Sequence, residues 1–144
     1  MPILFDSSIY ITALRAGDHA ALLLQRWARE SPLWLSSVVL EELYAGANPK
    51  DHRILEKLER DFGKAGRVLT PNLSDWTHAG KVLARLAQKY GYERIKQARL
   101  TNDALIAASA ARTGITLLTA NRRDFARLAE FCSLQWQTRA VQES

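Results

Sequence analysis

Cysteine is nearly missing from this chain. Cys132 is the only one in 144 residues, which excludes an internal disulfide and leads us to expect a reducing, cytoplasmic setting. Four prolines and seven glycines are too few for long disordered linkers, and no internal repeat or low-complexity tract interrupts the pattern. The longest apolar runs, such as Ala20 to Leu24, stop far short of the ~20 residues that span a bilayer. The opening MPILFDSS has neither a basic stretch nor a cleavage site, so no secretory leader is expected. These features together predict one α/β-sized domain over residues 1–144, without a membrane partner.

Several chemistries lack their residues. Neither G-x-G-x-x-G nor a Walker pattern occurs, so there is no glycine-rich phosphate loop. The G-x-S-x-G elbow of a serine hydrolase is absent as well. His19, His52 and His78 fall in mostly polar helical stretches without metal-ligand spacing and read as surface residues. Cys132 has no evident base beside it and reads as a core thiol. The four tryptophans lie in apolar or amphipathic stretches, which assigns them to core or interface rather than to base stacking.

Basic charge is present in excess. The formal net charge is +5, and fourteen of the twenty basic residues are arginine, the side chain best shaped for bidentate phosphate contacts. Nucleic acid or an acidic protein is the partner class this balance favours; a merely solubilising charge is the plainer alternative.

The apolar pattern alternates short runs with helix-period stretches. Strands are predicted at Ile3–Phe5, Pro32–Ser37, Arg67–Leu69, Thr116–Thr119 and Ser133–Trp136. Helices are predicted at Ser8–Ala16, Asp18–Glu30 (with Asp18 as cap), Val38–Ala47, Asp51–Phe62, Leu73–Tyr90, Thr101–Arg112 (capped by Thr101) and Asp124–Leu128. The polar stretch YGYERIKQARL resists assignment. Strands separated by helices imply right-handed crossovers and a mostly parallel sheet of about five strands covered on both faces. Such sheets carry their sites beyond the carboxyl ends of the strands.

Acids arrive at that edge repeatedly. Asp6 directly follows the first strand. After the second come Glu41 and Glu42, which helical periodicity separates: Val39, Leu40, Leu43 and Ala47 form the apolar face, Glu41 points away from it, and Glu42 lies at its margin. Glu42 is therefore the cleft candidate and Glu41 a solvated acid. Asp103 shares a face with Ile106, Ala107 and Ala110, an expensive place for an unpaired charge. Asn121 and Asp124 follow the fourth strand. Each has an ordinary structural reading as a cap or first-turn acid. Their joint arrival is what suggests chemistry, because clustered carboxylates repel one another unless a cation compensates. Oxygen ligands without His or Cys suit Mg²⁺ or Mn²⁺.

The segments ILFDSSIYI, LSSVVLEELYAGA, NDALIAASAARTG and TLLTANRRDF, in this order, resemble the four blocks of PIN-domain ribonucleases, with VapC-type toxins of toxin–antitoxin pairs the nearest likeness. The resemblance runs from about Ile3 to Trp136. It implies a PIN-like three-layer α/β sandwich and a metal-dependent endoribonuclease, the toxin subunit of a type II toxin–antitoxin system. It carries Asp6, Glu42 and Asp103 over as catalytic acids and metal ligands for Mg²⁺ or Mn²⁺, with Asp124 or Asn121 at the fourth position. Asp6 and Asp103 are then direct ligands, Glu42 and Asp124 hold waters or a second ion, and Ser8 and Thr119 orient an acid or water, unless they simply cap helices. Arg99, Arg122 and Arg123, with Arg94 and Lys96 nearby, would position RNA or dock an antitoxin. The implied partners are RNA, with transfer RNA foremost, a cognate antitoxin and a second copy in a homodimer. Leu22, Leu23 and Trp27 read as core or as a groove for such a partner.

Three rivals stand beside this reading. A haloacid-dehalogenase-type phosphatase also starts with a strand ending in Asp, but it needs an acid two residues on, where this chain has Ser8, and a later lysine that is not evident. The others are a housekeeping RNA-processing nuclease of the same fold and a non-catalytic RNA- or protein-binding domain.

Overall fold

The short apolar runs become strands because they are bounded by residues that cannot continue them. In a computed structural model, which describes residues 1–17 and 32–138, Ile3–Phe5 (β1), Leu33–Ser36 (β2), Val68–Leu69 (β3), Thr116–Thr119 (β4) and Trp136–Thr138 (β5) form one sheet in the order β3-β2-β1-β4-β5. Every pairing is parallel, with Ile3 opposite both Leu33 and Thr116. The expected sheet is thus present and is parallel throughout its described strands. The fifth strand begins where it was expected to end: Ser133–Trp136 was predicted and Trp136–Thr138 is observed. Leu134 donates locally to the Cys132 carbonyl (2.7 Å), which turns the chain before Leu117 and Trp136 can pair.

Seven described α-helices connect the strands: Ser7–Ala16 (α1), Ser37–Gly46 (α2), His52–Ala65 (α3), Leu73–Tyr90 (α4), Tyr92–Ala98 (α5), Thr101–Thr113 (α6) and Arg122–Leu128 (α7). The stretch that resisted assignment holds α5, anchored by buried Ile95 and stopped at Arg99, which adopts left-handed φ of 51°. Thr101 does not cap α6. The cap position belongs to Leu100, which offers no side-chain bond and is itself buried, so packing rather than a hydroxyl starts this helix. The expected helix Asp18–Glu30, with Leu22, Leu23, Trp27 and His19, lies outside the described residues.

Contacts divide the helices into two groups, α1–α2–α3 and α4–α5–α6–α7, bridged between α2 and α6. The sheet between them is apolar: Leu4, Phe5, Leu35 and Leu117 are fully buried, as expected for parallel strands covered on both faces. Alanines fill the buried side of α6 at 104, 107, 108 and 110, which lets α4 lie close against it. Trp34 and Trp136 pack against the core, whereas Trp76 on α4 is 56% exposed.

An unforeseen ion pair fixes the direction of α4 against α6. Asp75 completes a capping box with Asn72 at the start of α4, and from there accepts bonds from Arg112 Nε and Nη2 (both 2.9 Å) near the end of α6. The two helices therefore run antiparallel. Burial alone would raise the Asp75 pKa, but the Arg112 and Asn72 bonds outweigh it and hold the group below its ordinary 3.8. A depressed folded pKa contributes stability above the unfolded value that is lost as pH falls through the folded one. Asp75→Ala is expected to lower the unfolding free energy by about 2–3 kcal/mol at neutral pH through loss of cap and pair. The deficit should shrink below pH 4, as urea melts at pH 7 and pH 3 would show.

Candidate active site

The strand order reverses direction between β1 and β4. From β1 the chain steps to β2 and β3 on one side, then crosses back to β4 and β5 on the other. The crevice beyond the carboxyl ends of two such strands is where open α/β sheets place ligands. Asp6 follows β1 there, and Thr119 ends β4.

Asp6 is 3% exposed and held through both carboxylate oxygens. Oδ1 accepts from the Ser7 backbone N–H (2.7 Å) and more weakly from the Ser7 hydroxyl (3.3 Å), so Asp6 is the N-cap of α1. Oδ2 accepts from Ser8 Oγ (2.9 Å) and Thr119 Oγ1 (2.7 Å). Each of these hydroxyls accepts in turn from a backbone N–H, Ser8 from Ala120 (3.1 Å) and Thr119 from Asn121 (2.9 Å). With its lone pairs engaged by an amide, each hydroxyl can direct its single proton at Asp6. Neither residue caps a helix here; both orient the acid. The capping and chemical readings of Asp6 are thus compatible, since different oxygens serve them.

Glu42 lies one turn and a half into α2, half-buried, beside exposed Glu41. Its Oε1 is buried without a hydrogen-bond partner among the described residues. Burial, then the charge of Asp6, then that of Glu41, raise its pKa; bonds from Asn102 and Ser7 oppose them. The solvated reading of Glu41 holds as to exposure, yet Glu41 is not idle: Asn102 Nδ2 donates to its Oε2 (3.3 Å) across from α6.

Asp103 sits in the first turn of α6, half-buried. Its pKa is pushed up to about 7 by burial first, then by the negative charges of Asp6, Glu42 and Asp124. Asp124 is a first-turn acid of α7, in a reciprocal cap with Asn121: the Asn121 oxygen accepts from Asp124 N–H (3.3 Å), and its Nδ2 donates to Asp124 Oδ2 (3.0 Å). Asn121 and Asp124 are thus hydrogen-bonded to each other at the start of α7.

Of the expected cations, Arg122 and Arg123 open α7, while Arg94, Lys96 and Arg99 lie on or just after α5, all exposed. None forms an ion pair with a described acid. Ser7 and Asn102 were not singled out in the sequence. Asn102 is adjacent to Asp103, and that adjacency was the only signal available for it.

The donor set is carboxylate, amide and hydroxyl oxygen, which suits a hard divalent ion. Among the described residues, no group of three or more His, Cys, Asp or Glu side chains is placed to hold a metal ion. The partnerless Glu42 Oε1 is compatible with a largely hydrated ion held by one or two carboxylates rather than by a protein cage.

Asp103 also sets a pH test. A carboxyl with a raised folded pKa is more protonated folded than unfolded between about 4 and 7, so folding stability falls as pH rises through that window. In chelator, Asp103→Asn is expected to stabilise the chain by roughly 1–3 kcal/mol at pH 8 and by nearly nothing at pH 4. Thermal melts at the two values would show it; equal effects at both would contradict the burdened carboxylate.

Comparison with known proteins adds the following. The family model described as PIN domain matches residues 3–131. A search of curated proteins finds no match. Among solved structures, VapBC-1 from nontypeable Haemophilus influenzae is 25% identical, with a TM-score of 0.62, covering 96% of this chain and 98% of that one. VapBC2 from Rickettsia felis, bound to a promoter DNA fragment, is 24% identical, with a TM-score of 0.66 and coverage of 96% and 99%. DNA-bound VapBC from Salmonella typhimurium is 22% identical, with a TM-score of 0.66 and coverage of 96% and 98%. At such identities the likeness speaks to the fold.

Proposed function

The chain belongs to the PIN domain family, and from that premise we propose that it is a metal-dependent endoribonuclease, the toxin subunit of a type II toxin–antitoxin pair. The observation that carries the reading is the Asp103 carboxyl, raised by burial and by the charges of Asp6, Glu42 and Asp124, with Asp6 held at the switch point by Thr119. A carboxylate raised by acidic neighbours has its natural counterpart in a cation and a phosphate. The VapBC complexes among the structural neighbours support a cognate antitoxin as partner. No described helix is long and apolar enough to cross a membrane; a cytoplasmic location is part of the proposal. We take residues 1–144 as one domain, working as a homodimer.

In this mechanism Asp6 and Asp103 would hold Mg²⁺ or Mn²⁺ directly, while Glu42 and Asp124, assisted by Asn121, would hold its waters or a weaker second ion. Such an ion supplies a water of lowered pKa and neutralises charge on the phosphoryl oxygens. The chain's own work is alignment. Ser8 and Thr119 fix the Asp6 carboxylate, so that its orientation costs little at the moment of reaction. Glu42 would orient the water that attacks phosphorus, its proton passing to solvent while the P–O bond to the leaving oxygen breaks and that oxygen is protonated from solvent. Arg99, Arg122 and Arg123 hold the flanking phosphates by contacts that position RNA without reading its sequence.

The test is cleavage of transfer and total RNA by the purified chain, with Mg²⁺ or Mn²⁺ and with chelator. Asp6→Asn and Asp103→Asn are each expected to lower the rate by about 10²-fold or more, as removal of a transition-state contact does. Cutting that persists undiminished in both would belong to a contaminating nuclease. Absence of both cutting and Mn²⁺ binding by calorimetry would leave a non-catalytic binding domain.

A further inference from the structure

The cations near the site fall into a row. On α7, Arg123 and Arg127 stand four residues apart on one helix face, and on α4 Arg85 and Lys89 repeat that spacing. Two aromatic rings join the pairs. The Arg127 guanidinium lies 4.8 Å from the centroid of the Tyr90 ring, and Lys89 lies 5.2 Å from the same centroid. Arg85 stands 5.8 Å from that of Phe131. The row begins at the site, because Arg123 immediately precedes Asp124. It also ends on the correct part of α4: the Asp75–Arg112 pair ties the start of α4 to the end of α6, which brings the far end of α4 toward the Asp103 end of α6. One acid interrupts the row, Glu130, which accepts from Lys89 and from Tyr90 Oη (2.7 Å).

We propose that this row is the bed for a single-stranded RNA on one side of the cleaved bond, the chain passing Arg123 and Arg127 and crossing to α4 at Tyr90 so that its phosphates meet Lys89 and Arg85. The inference rests on the nuclease reading and deepens it by naming a substrate path. Guanidinium groups laid against rings keep a fixed fork orientation, which suits bidentate phosphate contact. Cations in single file, at a spacing of roughly 5–6 Å, match one strand's repeating charge rather than a duplex groove. An acidic protein segment is the competing occupant, but it would have no need of a row that starts at the carboxylate cluster. Glu130 then acts as a brake, holding Lys89 until a phosphate displaces it.

The experiment is fluorescence anisotropy with a labelled twelve-nucleotide oligouridylate and the full chain, in chelator so that no cutting intervenes. Arg85→Ala/Lys89→Ala is expected to weaken binding about three- to tenfold at 0.1 M salt and to flatten the salt dependence by about 1.4 in log–log slope, two phosphate contacts on a single strand. Arg53→Ala/Arg60→Ala on α3, which removes the same charge from exposed positions elsewhere, should match the parent chain. Glu130→Gln should tighten binding, a gain that misfolding cannot produce. Parent-like affinity in the Arg85/Lys89 double variant, or no tightening in Glu130→Gln, would overturn the row, as would polyglutamate competing as well as RNA of equal charge. If the unaltered chain cuts RNA while these variants are indifferent, only the row falls; if it neither binds nor cuts RNA, the nuclease reading falls and takes the row with it.

Discussion

The hold on Asp6 is the contact that organises this molecule's working edge. Its backbone N–H donates to the Leu118 carbonyl (2.9 Å), extending the β1–β4 pairing by one residue. Its side chain then reaches the same strand through Thr119 and starts α1 through Ser7 N–H. Sheet register, helix start and carboxylate orientation are thereby settled by one residue at the point where the strand order reverses. A slip of β4 by one position would turn Thr119 away from Asp6 and break this bond.

The other acids depend on that anchor because they are placed relative to it and repelled by it. Asp103 and Glu42 each feel the charge of Asp6, and among the described residues neither forms an ion pair. The domain spends its strong ion pair elsewhere, at Asp75 and Arg112, on the opposite ends of α4 and α6. Rigid helix packing remote from the site and electrostatic tension within it are complementary: the antiparallel clamp keeps the α6 start in place against the repulsion.

Surface charge completes the division. Arginines and lysines stand exposed on α5, α7 and the end of α4, while Asp6 is buried and Glu42 and Asp103 are half-buried. Trp76, exposed on α4, has no part in this arrangement, and nothing among the described residues explains its exposure.

Much of this was legible in local pattern. Strand edges at Phe5 and Thr119, the bounds of α4, the exposure of Glu41 beside half-buried Glu42 and the position of Asp6 directly after the first strand all follow from periodicity and from where the apolar runs stop. These features depend on neighbours a few residues away, which a sequence displays directly. What only the tertiary structure decided involves partners far apart in the chain. Thr119 is 113 positions from Asp6, Arg112 is 37 from Asp75, and Asn102 is 61 from Glu41. The start of α6 at Leu100 instead of a Thr101 cap, and the later start of β5, likewise came from packing and from a local turn that outweighed propensity. Side-chain pairing across elements depends on how helices cross and which registers the sheet adopts, and a linear pattern does not contain those distances.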